Sequence, residues 1–142
     1  MTMHEAIVSV RDLSVAFNVQ GTWHEVVNHL SFDLYRGKTL ALVGESGSGK
    51  SMTALAIMQL LPPGAHVSEQ SQIYYEDRNL LTTSEKQMRK IRGGRIAMIF
   101  QDAMVALNPV YTIGQQMQEV FKQHLHLSRA DIRSRCYALL TE

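Results

Sequence analysis

The chain has 142 residues, 45% of them hydrophobic, with a formal net charge of +1 from 14 Lys and Arg against 13 Asp and Glu. That is enough apolar material for one modest domain or a piece of a larger one, and it excludes disorder as the default. The basic residues are scattered, which excludes a nucleic-acid arm and a polybasic membrane anchor, and one cysteine, Cys136, excludes an internal disulfide and fits a reducing compartment.

Met1 to Asp12 shows no basic segment followed by a long apolar run, so no signal peptide is expected. Ala6–Val10 and Leu13–Val19 read as strands, with Gln20-Gly21-Thr22 as a hairpin or loop between them and the next run. Leu30, Phe32 and Leu34 alternate with Ser31 and Asp33, the period of a half-buried strand. Thr39–Val43 is a continuous apolar run, as for a strand covered on both faces. A glycine-rich loop follows at once. Lys50–Leu61 then carries Ala54, Leu55, Ile57, Met58 and Leu61 at helical spacing, and Pro62-Pro63-Gly64 stops it. The richest apolar stretch, Leu55 to Leu61, is too short to cross a bilayer and is broken by Gln59, so any service to a membrane runs through a partner.

Val67–Tyr75 reads as strand ending in a polar turn at Glu76–Asn79, and Ser84–Arg92 as a short helix with Ser84 as N-cap. Gly93-Gly94 breaks it, and Ile96–Phe100 is a second continuous apolar strand. Gln101–Pro109 is a loop. Thr112 is placed to cap a helix lined on one face by Ile113, Met117, Val120, Phe121 and Leu125. Ser128 and Asp131 resemble a capping box for a last helix through Leu140, and a chain that ends inside helical pattern reads as a fragment.

The chemistry is concentrated in Gly44-Glu45-Ser46-Gly47-Ser48-Gly49-Lys50-Ser51, which fits Gly, four residues, then Gly-Lys-Ser. Glycines let the backbone adopt positive φ and approach phosphate oxygens closely. Successive N–H groups then form an anion nest, and the following helix adds its free N–H groups and the positive end of its dipole. Lys50 is placed to reach the β- and γ-phosphates and Ser51 to put its hydroxyl on Mg²⁺. The strand, loop and helix that the motif requires are all expected here.

Ala41-Leu42-Val43 leading into that loop, and then Ile96-Ala97-Met98-Ile99-Phe100-Gln101-Asp102, resemble the ATPase subunits of ABC transporters. Leu107-Asn108-Pro109-Val110 resembles the dipeptide, oligopeptide, nickel and glutathione importer branch. The resemblance runs from about Ile7 to the end of the chain and corresponds to the first half of such an ATPase domain. It implies an α/β fold: a P-loop core with an N-terminal antiparallel β part over 1–37, P-loop core and Q-loop over 38–111, and the start of a helical subdomain over 112–142. The parallel core is expected to hold Thr39–Val43 and Ile96–Phe100. The resemblance further implies ATP and Mg²⁺ as ligands, held by Gly44, Glu45, Ser46, Gly47, Ser48, Gly49, Lys50, Ser51 and Met52. Gln101 stands at the Q-loop position, on Mg²⁺ and the attacking water beside Ser51, so that Lys50 and Gln101 are the catalytic candidates. Phe17 stands where an aromatic ring stacks on adenine. Gln101 also reads as a solvent-facing strand end, Phe17 as plain core, and Trp23 and His24 compete for the adenine.

The implied partners are transmembrane permease subunits, met through the segment from Gln101 to Tyr111, a second ATPase subunit packed head to tail, and indirectly a solute-binding protein. The implied place is the cytoplasmic face of the plasma membrane, and the implied work is uptake of peptides or a similar small solute. Asp102 is not a Walker B aspartate, because Gln101 separates it from the apolar run. His124 and His126 fall on different faces of a helix, so no shared metal is expected, and the methionines read as core filler. Ser71 and Asp77 stand where the family has glycine, Ala103 and Ala106 replace a proline and a serine, and Lys38 a glutamate. No Leu-Ser-Gly-Gly-Gln-like signature, no apolar run ending in Asp-Glu and no switch histidine occurs in these residues. This chain alone is therefore expected to bind nucleotide weakly, not to hydrolyse ATP, and to be loosely folded or poorly soluble. A truncated remnant that at most binds nucleotide is the competing reading. A P-loop GTPase lacks support, since no Asn-Lys-x-Asp motif is present, and a P-loop kinase lacks clear lid arginines.

Overall fold

The computed structural model describes residues 6–102, 106–125 and 127–141. They form two compact units, Met1–Met88 and Arg89–Glu142. Ala103 and His126, two positions singled out in the sequence, lie outside the described residues.

The first unit is built on two long strands, β1 (Ala6–Val19) and β2 (Thr22–Tyr35), paired antiparallel. Their two-residue turn has Gln20 at φ 53 and Gly21 at φ 86, the double positive φ that matches the twist of a hairpin. Asn18 Oδ1 accepts from the Gly21 N–H at 2.9 Å. On its other edge β1 pairs with β3 (Ala65–Val67) and β4 (Gln72–Tyr75), and β4 turns back into β5 (Arg78–Asn79). The expected single strand Val67–Tyr75 is thus two short strands, separated at Ser68–Ser71 by a turn closed by Ser71 N to Ser68 O at 3.0 Å.

The two expected strands Ala6–Val10 and Leu13–Val19 are one strand with its phase reset. Val10 opposes Phe32 and Leu13 opposes Leu30, so Arg11 and Asp12 face Ser31 alone, and on β2 Asn28 and His29 then face Ser14 alone. The two bulges restore the register. They also explain why Val10 and Leu13, three apart, are both fully buried. Ser71 is 5% exposed, and its hydroxyl donates to Asp12 O and accepts from Ser14 N–H, both at 3.0 Å. Ser71 therefore has work here: it satisfies backbone groups that the bulge takes out of the ladder.

Asp12 and His29 sit at φ 51 and 47, and the His29 Nδ1 meets Asp12 Oδ1 at 2.5 Å. The hydrogen bond to Asp12, then its charge, raises the His29 pKa above the ordinary 6.5. The folded chain holds that proton more tightly than the unfolded one, so this contribution is complete below about pH 6.5 and is lost as pH rises through the raised folded value. An NMR titration of the His29 ring should give a midpoint above 6.5, and Asp12→Asn should return it toward 6.5.

Helix α1 (Lys50–Ile57) stops four residues short of the expected Leu61. Gln59 takes φ 50, its N–H bonds to Ala56 O at 3.0 Å, and Leu60 N–H reaches Leu55 O at 2.8 Å. This is a Schellman stop with glutamine in the usual glycine place, and the Gln59 side-chain amide donates to Leu80 O, fixing it there. A 3-10 turn (Leu80–Thr82) and helix α2 (Glu85–Ile91) follow, with the Ser84 carbonyl accepting from Gln87 and Met88 N–H.

The expected parallel core strands are not formed. Thr39–Val43 pairs with no strand, and Ile96–Phe100 makes only the single bridge from Ile96 to Arg92. Val43 and Ile99 are 93% and 96% exposed. An apolar run becomes a covered strand only with a neighbour to complete its ladder and a layer over each face. Among the described residues neither run has them. In the second unit, helix α3 (Ile113–His124) carries the expected Thr112 cap, completed by Gln115 as a capping box. It packs on helix α4 (Arg129–Thr141), where Ile132 and Cys136 are buried. Ser128 Oγ accepts from Asp131 N–H at 3.2 Å and donates to its carboxylate at 2.6 Å, which is the serine half of the box expected from the sequence.

Candidate functional site

The glycine-rich loop wraps the start of α1. Ser48 N–H donates to Glu45 O at 3.2 Å, and Gly47 and Gly49 both take φ 84. Gly49 is the N-cap, and no side chain caps the helix and no acidic residue stands in its first turn. The N–H groups there and the positive end of the helix dipole are left available to an anion. Gly49 is also pressed onto β2: a Cβ at this position would lie 2.2 Å from Val26 O and 2.9 Å from Val27 Cγ2. At Gly44 it would lie 2.5 Å from Ser48 Oγ and fill the cradle. Thr53, 2% exposed, holds the turn from below, its N–H and hydroxyl both donating to Gly49 O at 2.8 and 3.0 Å.

Lys50 Nζ donates to Gly44 O at 2.7 Å, Glu45 O at 2.6 Å and Ser48 Oγ at 3.1 Å. Its ammonium thus spans the mouth of its own loop. Glu45, Ser46, Ser48 and Ser51 are exposed, and Met52 is half-buried on the first turn of α1. A cleft of about 360 Å³ opens beside Lys50 and Ser48, walled by β2 from Glu25 to Asn28 and by Leu42 and Val43.

Phe17 is half-buried near the end of β1, opposite His24 on β2 and Ala65 on β3. Strand alternation puts it on the face of Val15, whose partner Val27 abuts Gly49. His24 shares that face. Trp23 is paired with Asn18, so it lies on the opposite face, its ring 5.6 Å from that of His66. Gln101 is exposed in a bend of the second unit. The stretch after it is shaped by a residue that sequence reading missed. Gln116 on α3 accepts from Asn108 N–H and donates to Asn108 O and Tyr111 O, all at 3.0 Å. Asn108 Oδ1 in turn accepts from Val110 N–H at 3.0 Å. Val110 and Tyr111 are held out to solvent by this clamp. An Asn-Pro turn just ahead of a capped helix is the only signal that pointed to it. Among the described residues no group of three or more His, Cys, Asp or Glu is placed to hold a metal, and no helix is long and apolar enough to cross a membrane.

An uncapped helix start under a glycine-rich loop, with a lysine at the loop's mouth, has the geometry of the phosphate-binding loops of a nucleotide-binding protein class. The family model described as ABC transporter matches residues 27–141, and the chain belongs to that family. It is 44% identical over 99% of its length to the peptidoglycan transport ATP-binding protein YejF of Agrobacterium fabrum, and 43% identical over 96% to the dipeptide transport ATP-binding protein DppD of Bacillus subtilis. It spans 26% and 41% of those relatives. A solved dimeric ATP-binding cassette, in a post-hydrolysis state bound to ADP and Pi, superposes on 94% of this chain with a TM-score of 0.79 and 19% identity, the chain spanning 56% of it. The fold is therefore that of part of an ABC ATPase cassette.

Proposed function

We propose that this chain is the nucleotide-binding part of the ATPase subunit of an ABC importer, binding MgATP to drive uptake of peptides or a similar small solute. The observation that carries the reading is the uncapped start of α1 beneath two left-handed glycines, with Lys50 at the mouth of the loop. The cradle leaves room for a phosphate chain at Gly44, where a Cβ would meet Ser48 and Lys50, while the missing Cβ of Gly49 lets the loop seat on β2. The backbone from Glu45 to Ser51 binds phosphate oxygens, and Lys50 transfers two of its donors from the Gly44 and Glu45 carbonyls to the β- and γ-phosphates. By the resemblance, Ser51 and Gln101 would each be ligands on the metal side, Phe17 would stack on the base, and Met52 would serve as a backbone donor of the first turn. Mg²⁺, when bound, would supply charge neutralisation at the transferred phosphate.

Within this reading, residues 1–37 are the antiparallel part, 38–111 the P-loop core and Q-loop, and 112–142 the start of the helical subdomain. The clamped turn at Asn108–Tyr111 faces a transmembrane permease. A second ATPase subunit closes the site head to tail, a solute-binding protein serves the permease, and the assembly sits on the cytoplasmic face of the plasma membrane. These 142 residues hold no Walker B aspartate, catalytic glutamate or signature motif, so on their own they bind nucleotide without hydrolysing it. The names of the relatives, given for peptidoglycan and dipeptide transport, support the solute class. The test is uptake of a labelled dipeptide in cells whose gene carrying this sequence is deleted. Uptake should fall, return with the intact gene and fail to return with its Lys50→Ala form. Unchanged uptake in the deletion refutes the solute class.

A further inference from the structure

Away from the P-loop, a cleft of about 400 Å³ lies wholly within the second unit, between the turn at Gly93–Arg95 and the end of α3. Its floor is tightly built. Arg95 and Ile96 N–H both donate to Ile91 O, at 2.8 and 3.0 Å, and Gly93 N–H donates to Ile96 O at 2.8 Å. The half-buried His124 ring lies against the glycine pair: a Cβ at Gly94 would stand 2.8 Å from its Nδ1, and one at Gly93 would stand 3.0 Å from its Nε2. Only two successive glycines leave room for the imidazole there.

The lining divides cleanly in chemistry. Among the described residues its ionisable members are Lys90, Arg95 and His124, all basic, and no described carboxylate lines it to neutralise them. Its apolar wall is Val120 and Phe121 from α3 and Leu125 just after it. Guanidinium and ammonium groups recognise compact oxyanions, the former through paired N–H donors. An apolar wall beside them rewards a ligand that also carries hydrocarbon.

We propose that this cleft binds an amphiphilic anion, a phosphate monoester on an apolar group, with the phosphate on Lys90, Arg95 and an N–H of His124 and the hydrocarbon on Val120, Phe121 and Leu125. The phosphate comes either from a soluble ester or from an acidic lipid headgroup. Equilibrium dialysis of the full chain against labelled hexyl phosphate, with MgATP present to occupy the P-loop, tests it. Saturable binding is expected, weakened at least about tenfold in Lys90→Gln/Arg95→Gln. Both side chains are exposed, so neutral glutamines leave the fold intact. Inorganic phosphate should bind about tenfold or more weakly than the ester, because it has no group for the apolar wall. Absent saturation, an unchanged affinity in the double variant, or equal affinity for inorganic phosphate each overturns the proposal. On the unaltered chain, raising NaCl must weaken binding, since the contacts are between partly exposed charges, and salt-independent binding overturns it too. Flotation with phosphatidylcholine vesicles containing about one-fifth phosphatidic acid, whose headgroup is a phosphate monoester, again lost in the double variant, identifies a lipid headgroup as the source, and hexyl phosphate binding without flotation identifies a soluble ester.

Discussion

Lys50→Ala should lower the affinity for MgATP about a hundredfold, measured by calorimetric titration of the chain. The variant loses charge-assisted hydrogen bonds to phosphate, each worth about 1.5–3 kcal/mol, and about 2.7 kcal/mol corresponds to a hundredfold. Fold stability should barely change. Lys50 Nζ now bonds to Gly44 O, Glu45 O and Ser48 Oγ, on residues that are all exposed. Water replaces the ammonium at those oxygens, at a cost of under about 1 kcal/mol. The three bonds also predict which nucleotide suffers most. MgADP, without a γ-phosphate, uses fewer of the lysine's donors, so its affinity should fall less than that of MgATP. Equal titrations for the wild type and the variant would remove Lys50 from the phosphate site altogether.

What was legible in the sequence was whatever a local rule decides. The hairpin at Gln20-Gly21, the Thr112 cap and the Ser128 hydroxyl on the Asp131 N–H are each settled by side chains within a few residues of the backbone groups they satisfy. Where sequence and structure part, the cause is different. The apolar spacing after Lys50 continues through Leu61, but Gln59 turns left-handed and its amide is held by Leu80 O, 21 residues away. In sequence β1 reads as two strands because the paired bulges at Asp12 and His29 shift its phase, and only the partner strand reveals that the shift is compensated.

Thr39–Val43 and Ile96–Phe100 carry the same lesson furthest. Their composition specifies burial on two faces, yet strand structure is a property of pairing, and among the described residues Thr39–Val43 has no partner and Ile96–Phe100 only one bridge. At the site, the loop could be read because Gly-x-x-x-x-Gly-Lys-Ser encodes its own geometry. The relative placement of Phe17, Trp23 and His24 could not be read, because it depends on the β1–β2 register, which sets Phe17 and His24 on one face and Trp23 on the other. Gln116 escaped notice because its partners, Asn108 and Tyr111, lie eight and five positions before it, outside any helical periodicity.

Gly49→Ala should do far more damage than Gly47→Ala, although both glycines take φ 84. A left-handed alanine costs about 1–2 kcal/mol at either position. At Gly47 nothing lies within 4 Å of the added Cβ, so that is the whole cost. At Gly49 the methyl would sit 2.2 Å from Val26 O, a backbone atom inside β2 that has no rotamer to move to. Either the strand or the start of α1 must shift, and the total should reach about 3 kcal/mol or more. Amide hydrogen exchange reads this locally. Exchange across α1 and around Val26–Val27 should quicken more than about a hundredfold in Gly49→Ala, against roughly tenfold in Gly47→Ala. Nucleotide affinity should follow the same order, because a displaced helix start moves the open N–H groups out of the cradle. Indistinguishable exchange in the two variants would mean that the contact between loop and strand does not anchor the phosphate site. The site's rigidity would then have to come from the Thr53 hydrogen bonds to Gly49 O alone.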